Sequence, residues 1–286
     1  MASDHARPLG DVSLEITVRG KRSVATCREN FGPGTNVYLT HIPGDELRSI
    51  VETATELRAG GLVPVPHLAA RSLESSDQLD DFLGRLAGEA GVDRVLLIGG
   101  GIDTPLGPYE SSLQVMQSDL LAAHGVARVG FAVHPEGHPV VSDGDMAQAL
   151  RAKLALGADQ GMETWLVSQF CFTAEPVIAC LEALRAAEIS APLRVGLAGP
   201  SDRRTLMKYA LLCGIGNSIK ALGSQLDTVR KLAAIRTPDD IVDNLASAAL
   251  ANPGLGIEGL HVFPFGNIAA TAEWRDRLLA GEGASA

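Results

Sequence analysis

Aromatic side chains are scarce in this sequence: seven Phe, three Tyr and two Trp make up 4% of 286 residues. Aliphatic side chains must therefore fill most of the core. Cysteine is scarcer still. The four thiols, Cys27, Cys171, Cys180 and Cys213, form no C-x-x-C pair, which excludes a disulfide framework or a thiolate zinc site read from spacing. Basic residues are outnumbered, 24 Lys and Arg against 34 Asp and Glu, for a formal charge of −10. That balance lacks the positive footprint a phosphate backbone requires, so no nucleic acid is expected as a partner. No apolar run approaches the roughly 18 residues a membrane span needs, and residues 1–10 have neither a basic start nor an apolar stretch. These absences predict a cytoplasmic protein that does not partner a membrane. The 31 Gly and 15 Pro are spread out rather than pooled, so no low-complexity linker is expected.

What is present is a core-forming composition, 46% hydrophobic and 20% charged, at a length that α/β barrels reach as one domain. Short β-branched runs alternate with longer amphipathic stretches. Strands are predicted at Val12–Val18, Asn36–His41, Leu62–His67, Val92–Ile98, Ala127–Val133, Thr164–Gln169, Leu193–Leu197 and Gly259–Phe263. Helices are predicted between them at Ser23–Asn30, Asp45–Ala59, Ser76–Ala90, Ser111–His124, Asp145–Leu156, Ala174–Ala187, Asp202–Leu212 and Ala269–Leu279. Gly44-Asp45, Ser75-Ser76, Ser142-Asp143 and Ser201-Asp202 stand where helices should start, and Gly60, Gly125, Gly157 and Gly214 where they should stop. Eight strand–helix units predict a single eight-stranded parallel (β/α) TIM-type barrel over residues 11–286. Residues 1–10 are expected to be flexible, and extra helices, Gln225–Ala234 and Pro238–Ala251, are expected within about 214–256.

Catalytic groups of such a barrel lie at strand C-terminal ends and on the loops that follow. In strand one, Leu14, Ile16 and Val18 share one face, and Glu15 and Thr17 the other. A carboxyl mid-strand in a barrel must meet a cation or lose solvent, and lost solvent raises its pKa toward the range of a useful acid. Glu15 is thus the acid/base candidate, with a salt bridge to Arg19 or to another strand's base as the structural alternative. Strand four ends in Gly99-Gly100-Gly101, where a flat ring or phosphate could approach the backbone, or where the chain simply turns tightly. The segment His134-Pro135-Glu136-Gly137-His138-Pro139 has H-x-x-x-H spacing, but its prolines and glycine forbid the helix that would aim both imidazoles at a metal. No metal site is expected. Strand six ends Gln169-Phe170-Cys171-Phe172, suited either to a heteroaromatic ligand or to core packing. Ser201 could cap a helix or hold a phosphate.

Several of these fragments, in order, resemble the methylenetetrahydrofolate reductase family. Val12-Ser13-Leu14-Glu15 matches the strand that carries the family's catalytic Glu. Thr40 falls at a flavin-contacting Thr, and Pro66-His67-Leu68 matches a flavin-contacting Pro-His-Leu. The His134–Pro139 segment is similar to Tyr-Pro-Glu-x-His-Pro, Lys153 matches a Lys before Gly-Ala, and Gln169-Phe170-Cys171-Phe172 resembles a folate-binding Gln-Phe-Phe-Phe. The resemblance implies an oxidoreductase that interconverts 5,10-methylenetetrahydrofolate and 5-methyltetrahydrofolate, with FAD as cofactor and NAD(P)H as cosubstrate. It assigns catalysis to Glu15, cofactor contacts to Thr40, His67, Gly99, Gly100, Gly101, His134, His138 and Lys153, and folate to Gln169 and Phe172. A homo-oligomer is left open. The sequence also departs from the family: Gly99-Gly100-Gly101 replaces Arg-Gly-Asp, His134 replaces Tyr, and Ala149 and Ala152 stand for flavin-contacting Asn and Arg. Two other readings stay open: a flavin-free folate-binding barrel serving a demethylation pathway, and a metal-free lyase or aldolase, for which no lysine lies on a strand end.

Overall fold

A computed structural model describes Leu9, residues 11–213 and residues 235–281. Apart from Leu9, which is buried, the segment expected to be flexible and the helix expected at Gln225–Ala234 lie outside the described residues. Eight parallel strands form a closed barrel. They are β1 (Asp11–Ile16), β2 (Asn36–Leu39), β3 (Val63–Ala69), β4 (Arg94–Ile98), β5 (Arg128–Val133), β6 (Glu163–Ser168), β7 (Leu193–Ala198) and, after a two-residue antiparallel pair, β8 (Ser201–Asp202) with β9 (Ile235–Arg236), the closing β10 (Ile257–Phe263). Around the sheet the order is β1-β10-β7-β6-β5-β4-β3-β2.

The helices follow their strands: α1 (Lys21–Asn30), α2 (Leu47–Ala59), α3 (Ser76–Ala90), the short α4 (Ser112–Met116) and α5 (Leu120–Ala123), α6 (Asp143–Asp159), α7 (Glu175–Ala186), α8 (Arg203–Leu212), α9 (Asp239–Ala251) and α10 (Ile268–Leu279). Aliphatic spacing explains their seating. In α2, Ile50, Val51, Ala54 and Leu57 recur at helical period and are fully buried, packing the helix against β3 and α3. Along β1 and β2 the residues Leu14, Ile16, Val37 and Leu39 are buried on the opposite face from Glu15 and Tyr38. No helix of the described residues is long and apolar enough to cross a membrane.

Four local expectations need correction. The helix expected over Ser111–His124 is two short ones, because Asp119 takes a left-handed φ of 58° between them. Gly157 does not end α6; it lies inside it, where a Cβ would come within 2.8 Å of Thr164 Cγ2, so close packing rather than termination explains the glycine. Ser201 pairs with Arg236 as part of β8, and it is Asp202 that caps α8 by accepting the Thr205 N–H at 2.9 Å. Asp45 likewise starts no helix, since its carboxylate takes the Ile42 N–H and the Arg19 guanidinium instead.

The described chain comprises two compact units. One contains residues 11–13, 133–143, 167–213 and 235–281, and the other Leu14–Ala132 with Gly144–Leu166. In the first, buried Trp274 of α10 donates to Asp239 Oδ1 at 2.9 Å, tying it to the start of α9.

Candidate functional site

In the unit that holds β2 to β5, the side chain of Glu15 retains 17% of its accessible surface and its Oε2 lies 3.3 Å from His67 Nε2. Its position follows from strand geometry. Glu15 is in register with Tyr38, whose hydroxyl receives the Trp165 Nε1–H at 3.0 Å. Because β2 and β6 are four strands apart in the barrel order, that bond crosses the interior, and Glu15 is on the same, inward face. Gly130 of β5 makes the crossing sterically feasible, since a Cβ there would come within 2.5 Å of the indole. Loss of solvent holds the Glu15 carboxyl above the usual carboxylate range, and the positive charge His67 can carry pulls it back in part. The salt bridge to Arg19 weighed from sequence does not form; Arg19 pairs with Asp45 at 2.6 Å.

The end of β2 is bound to both of its neighbours, β1 and β3. Thr40 N–H bonds Ile16 O at 3.0 Å, and Ala69 N–H donates to His41 Nδ1 at 3.4 Å. A ring nitrogen that accepts a backbone N–H carries no proton itself, and burial lowers the pKa of His41, so this imidazole is neutral. Thr40 Oγ1 is buried with no hydrogen-bond partner among the described residues. A buried hydroxyl in that state marks a place where a ligand could satisfy it.

The Gly99-Gly100-Gly101 turn after β4 divides by role. Gly100 has a φ of +99°, which requires glycine, and a Cβ there would press on Ala69 at 3.3 Å. At Gly99 and Gly101 a Cβ would meet nothing of the described residues within 4 Å, so these two present bare backbone. Arg71 fastens the loop: its N–H bonds Gly99 O, its carbonyl takes the Leu106 N–H, and its guanidinium reaches the Asp103 carbonyl. Lys153 of α6 places Nζ 4.9 Å from the centre of the Phe131 ring and donates to Ser112 Oγ at 3.4 Å. Burial brings its pKa down to about 8.

The other unit holds the remaining candidates. His134 and Gly137 close a tight turn by a 2.9 Å backbone bond, and Gly137 there has a φ of +84°. The His134 and His138 rings meet edge to face with centres 4.9 Å apart, and His138 Nδ1 accepts the N–H groups of Val140 and Val141. Gln169 Oε1 accepts the Phe170 N–H at 3.0 Å, which leaves its NH2 as the donor end of the side chain. His134 and Gln169 line one cleft with Pro135, Glu136, Gly137, Phe170, Cys171 and Cys213. Phe170 is core: wholly buried, it packs on the Phe172, Phe263 and Phe265 rings, whereas Phe172 stays partly exposed. Ser13 Oγ donates to Leu260 O and contacts His261 Nδ1, both at 3.1 Å.

Sequence reasoning passed over Tyr38, Trp165, His41 and His261. Ser13 shares the inward alternation of Glu15, so the inner face of β1 was readable, but the partners of that face lie up to 248 positions away. No local period reports such a pairing.

No protein-family model matches the sequence. Among solved structures, the chain is similar to dihydropteroate synthase from Thermus thermophilus, with 16% identity over 95% of this chain and 94% of that one at a TM-score of 0.52. Looser likenesses are to a sialic acid aldolase from Ruminococcus gnavus (10% identity, 96% and 74% of the chains, TM-score 0.49) and to a probable 3-DHS dehydratase of petrobactin synthesis from Bacillus anthracis (12%, 93% and 98%, 0.48). At these identities what the chain shares with the Thermus protein is its barrel fold.

Proposed function

We propose that this barrel is an enzyme that reduces 5,10-methylenetetrahydrofolate to 5-methyltetrahydrofolate, or runs the reverse reaction, with FAD as cofactor and NAD(P)H as cosubstrate. The observation that carries this reading is Glu15: an inward, mostly buried carboxyl held toward its protonated form at the C-terminal end of a barrel strand. The ordered motif resemblance supplies the substrate. A barrel of this fold bears the name dihydropteroate synthase, so a pterin-type ligand is within the reach of such a scaffold.

The residues present fit a flavin. Thr40 Oγ1 is a buried hydroxyl awaiting a partner, Gly99 and Gly101 leave a strand end uncovered, and Lys153 offers an ammonium, steadied by Ser112, to a phosphate. A bound flavin would supply the hydride, drawn from NAD(P)H, because no side chain carries one. The chain's own contribution is the proton. Opening the methylene bridge requires protonation of one bridging nitrogen; the Glu15 O–H provides it, the C–N bond breaks, and an iminium carbon is left to accept hydride. The resemblance assigns folate contacts to Gln169, which has an amide NH2 to offer, and to the partly exposed ring of Phe172, and flavin contacts to His134 and His138.

A second reading is favoured by one departure. Ala149 and Ala152 leave α6 without the side chains that hold flavin in the related enzymes, which suits a flavin-free folate carrier for a demethylation pathway. Reconstitution with FAD decides between them. The proposed enzyme gives a saturable visible flavin band and turns over methylenetetrahydrofolate; a protein that stays colourless at high micromolar FAD but binds folate is the carrier.

A further inference from the structure

The resemblance places His67 against flavin, yet in this structure its Nε2 faces the Glu15 carboxyl at 3.3 Å. We propose that His67 is a positioning residue for Glu15, fixing the direction of its carboxyl and governing when that carboxyl holds its proton. This rests on reading Glu15 as the proton donor.

The geometry is built rather than incidental. His67 is one of ten buried polar residues among those described, 7% exposed, and its ring meets Tyr38 edge-on with centres 6.1 Å apart. Tyr38 is itself held by Trp165 across the interior, and Ala69, two residues beyond His67, is tied to His41. The imidazole is thus braced along its ring and along its strand, with Nε2 directed at Glu15. After proton transfer Glu15 is a carboxylate in a poorly solvated place, and a second proton, taken up from solvent at Nε2, makes an imidazolium that offsets that charge. When Glu15 is protonated, a neutral Nε2 accepts its O–H and fixes which way it points.

Among the described residues, three titratable groups on or just beyond the strands beside β1 have partners of their own. His41, just beyond β2, accepts the Ala69 N–H at Nδ1, and burial lowers its pKa, although Asp45 opposes that. On β10, His261 is engaged by Ser13 and is neutral, its pKa brought down to about 3. Tyr38, in register with Glu15, is committed to Trp165.

The test is an infrared titration of the Glu15 carboxyl in the full-length protein, isolated as the difference from Glu15→Gln. Replacing His67 with Gln keeps a hydrogen-bonding group but removes the charge, so the midpoint at which the protonated band disappears should rise by about one pH unit. The alkaline limb of kcat for methylenetetrahydrofolate reduction should move up with it, since an acid works only while protonated. In His67→Phe, which also loses the contact, kcat should fall by roughly tenfold or more while KM changes little. An unmoved midpoint in a variant that keeps its near-ultraviolet circular dichroism overturns the proposal. If His67→Gln does not fold, His67→Asn undergoes the same titration. Absence of folate turnover in the wild-type protein would sink the proposed function alone, and the midpoint shift would still decide what His67 does to Glu15.

Discussion

Trp165 and Tyr38, 127 positions apart, are joined inside the barrel by a 3.0 Å hydrogen bond from the indole N–H to the phenolic oxygen. Tyr38→Phe keeps the ring but leaves the indole donor without that acceptor, and should cost about 1 kcal/mol of stability in urea unfolding. Combined with Trp165→Phe, the loss should be smaller than the sum of the single losses, because the two side chains share one bond.

Glycines of the same barrel should respond differently to an added methyl group. Gly130→Ala drives a Cβ into the Trp165 ring and should destabilise by about 1–3 kcal/mol, read as a lowered urea midpoint at constant slope. Gly99→Ala and Gly101→Ala meet nothing of the described residues and should leave the midpoint unmoved, while weakening FAD binding measured by fluorescence quenching.

Glu15→Gln retains shape and hydrogen bonding without the transferable proton. Methylenetetrahydrofolate reduction should fall by roughly 10²–10⁴-fold. NAD(P)H oxidation with a quinone acceptor should persist, since that half-reaction needs no proton at a pterin nitrogen. Parallel loss of both activities would assign Glu15 a structural role.

His261 gives the fold an acid limit. Its pKa lies near 6.5 in the unfolded chain, but burial first, and then the Arg194 charge, bring it down to about 3 when folded. Below pH 6.5 the unfolded chain therefore takes up a proton that the folded one refuses. Stability contributed by neutral His261 is whole above that pH and is lost as pH falls toward 3, by up to about 1.4 kcal/mol per unit. His261→Gln should flatten urea stability between pH 6.5 and 4 relative to wild type.

The fold was highly legible because its signals are local. Predicted strand four, Val92–Ile98, became Arg94–Ile98, and the helix Ser76–Ala90 matches to the residue, with Ser75 accepting the Gln78 N–H as its cap. The boundaries were weaker where a residue had a tertiary reason to be there, as with Gly157 against Thr164 and Asp45 under Arg19. Of the site, the inward face of Glu15 followed from two-residue alternation. Its pairing with His67 did not, because nothing in a strand's own pattern says which histidine of another strand shares its level in the barrel.

The chain has only two tryptophans, and the two compact units hold one each. Trp165 donates to a phenol and Trp274 to a carboxylate, so the two indoles sit in electrostatically different surroundings. Each unit thereby carries its own fluorophore. With Trp274 replaced by Phe, the remaining emission comes from the half of the molecule that bears Glu15, and its decay during denaturation times the loss of that half alone.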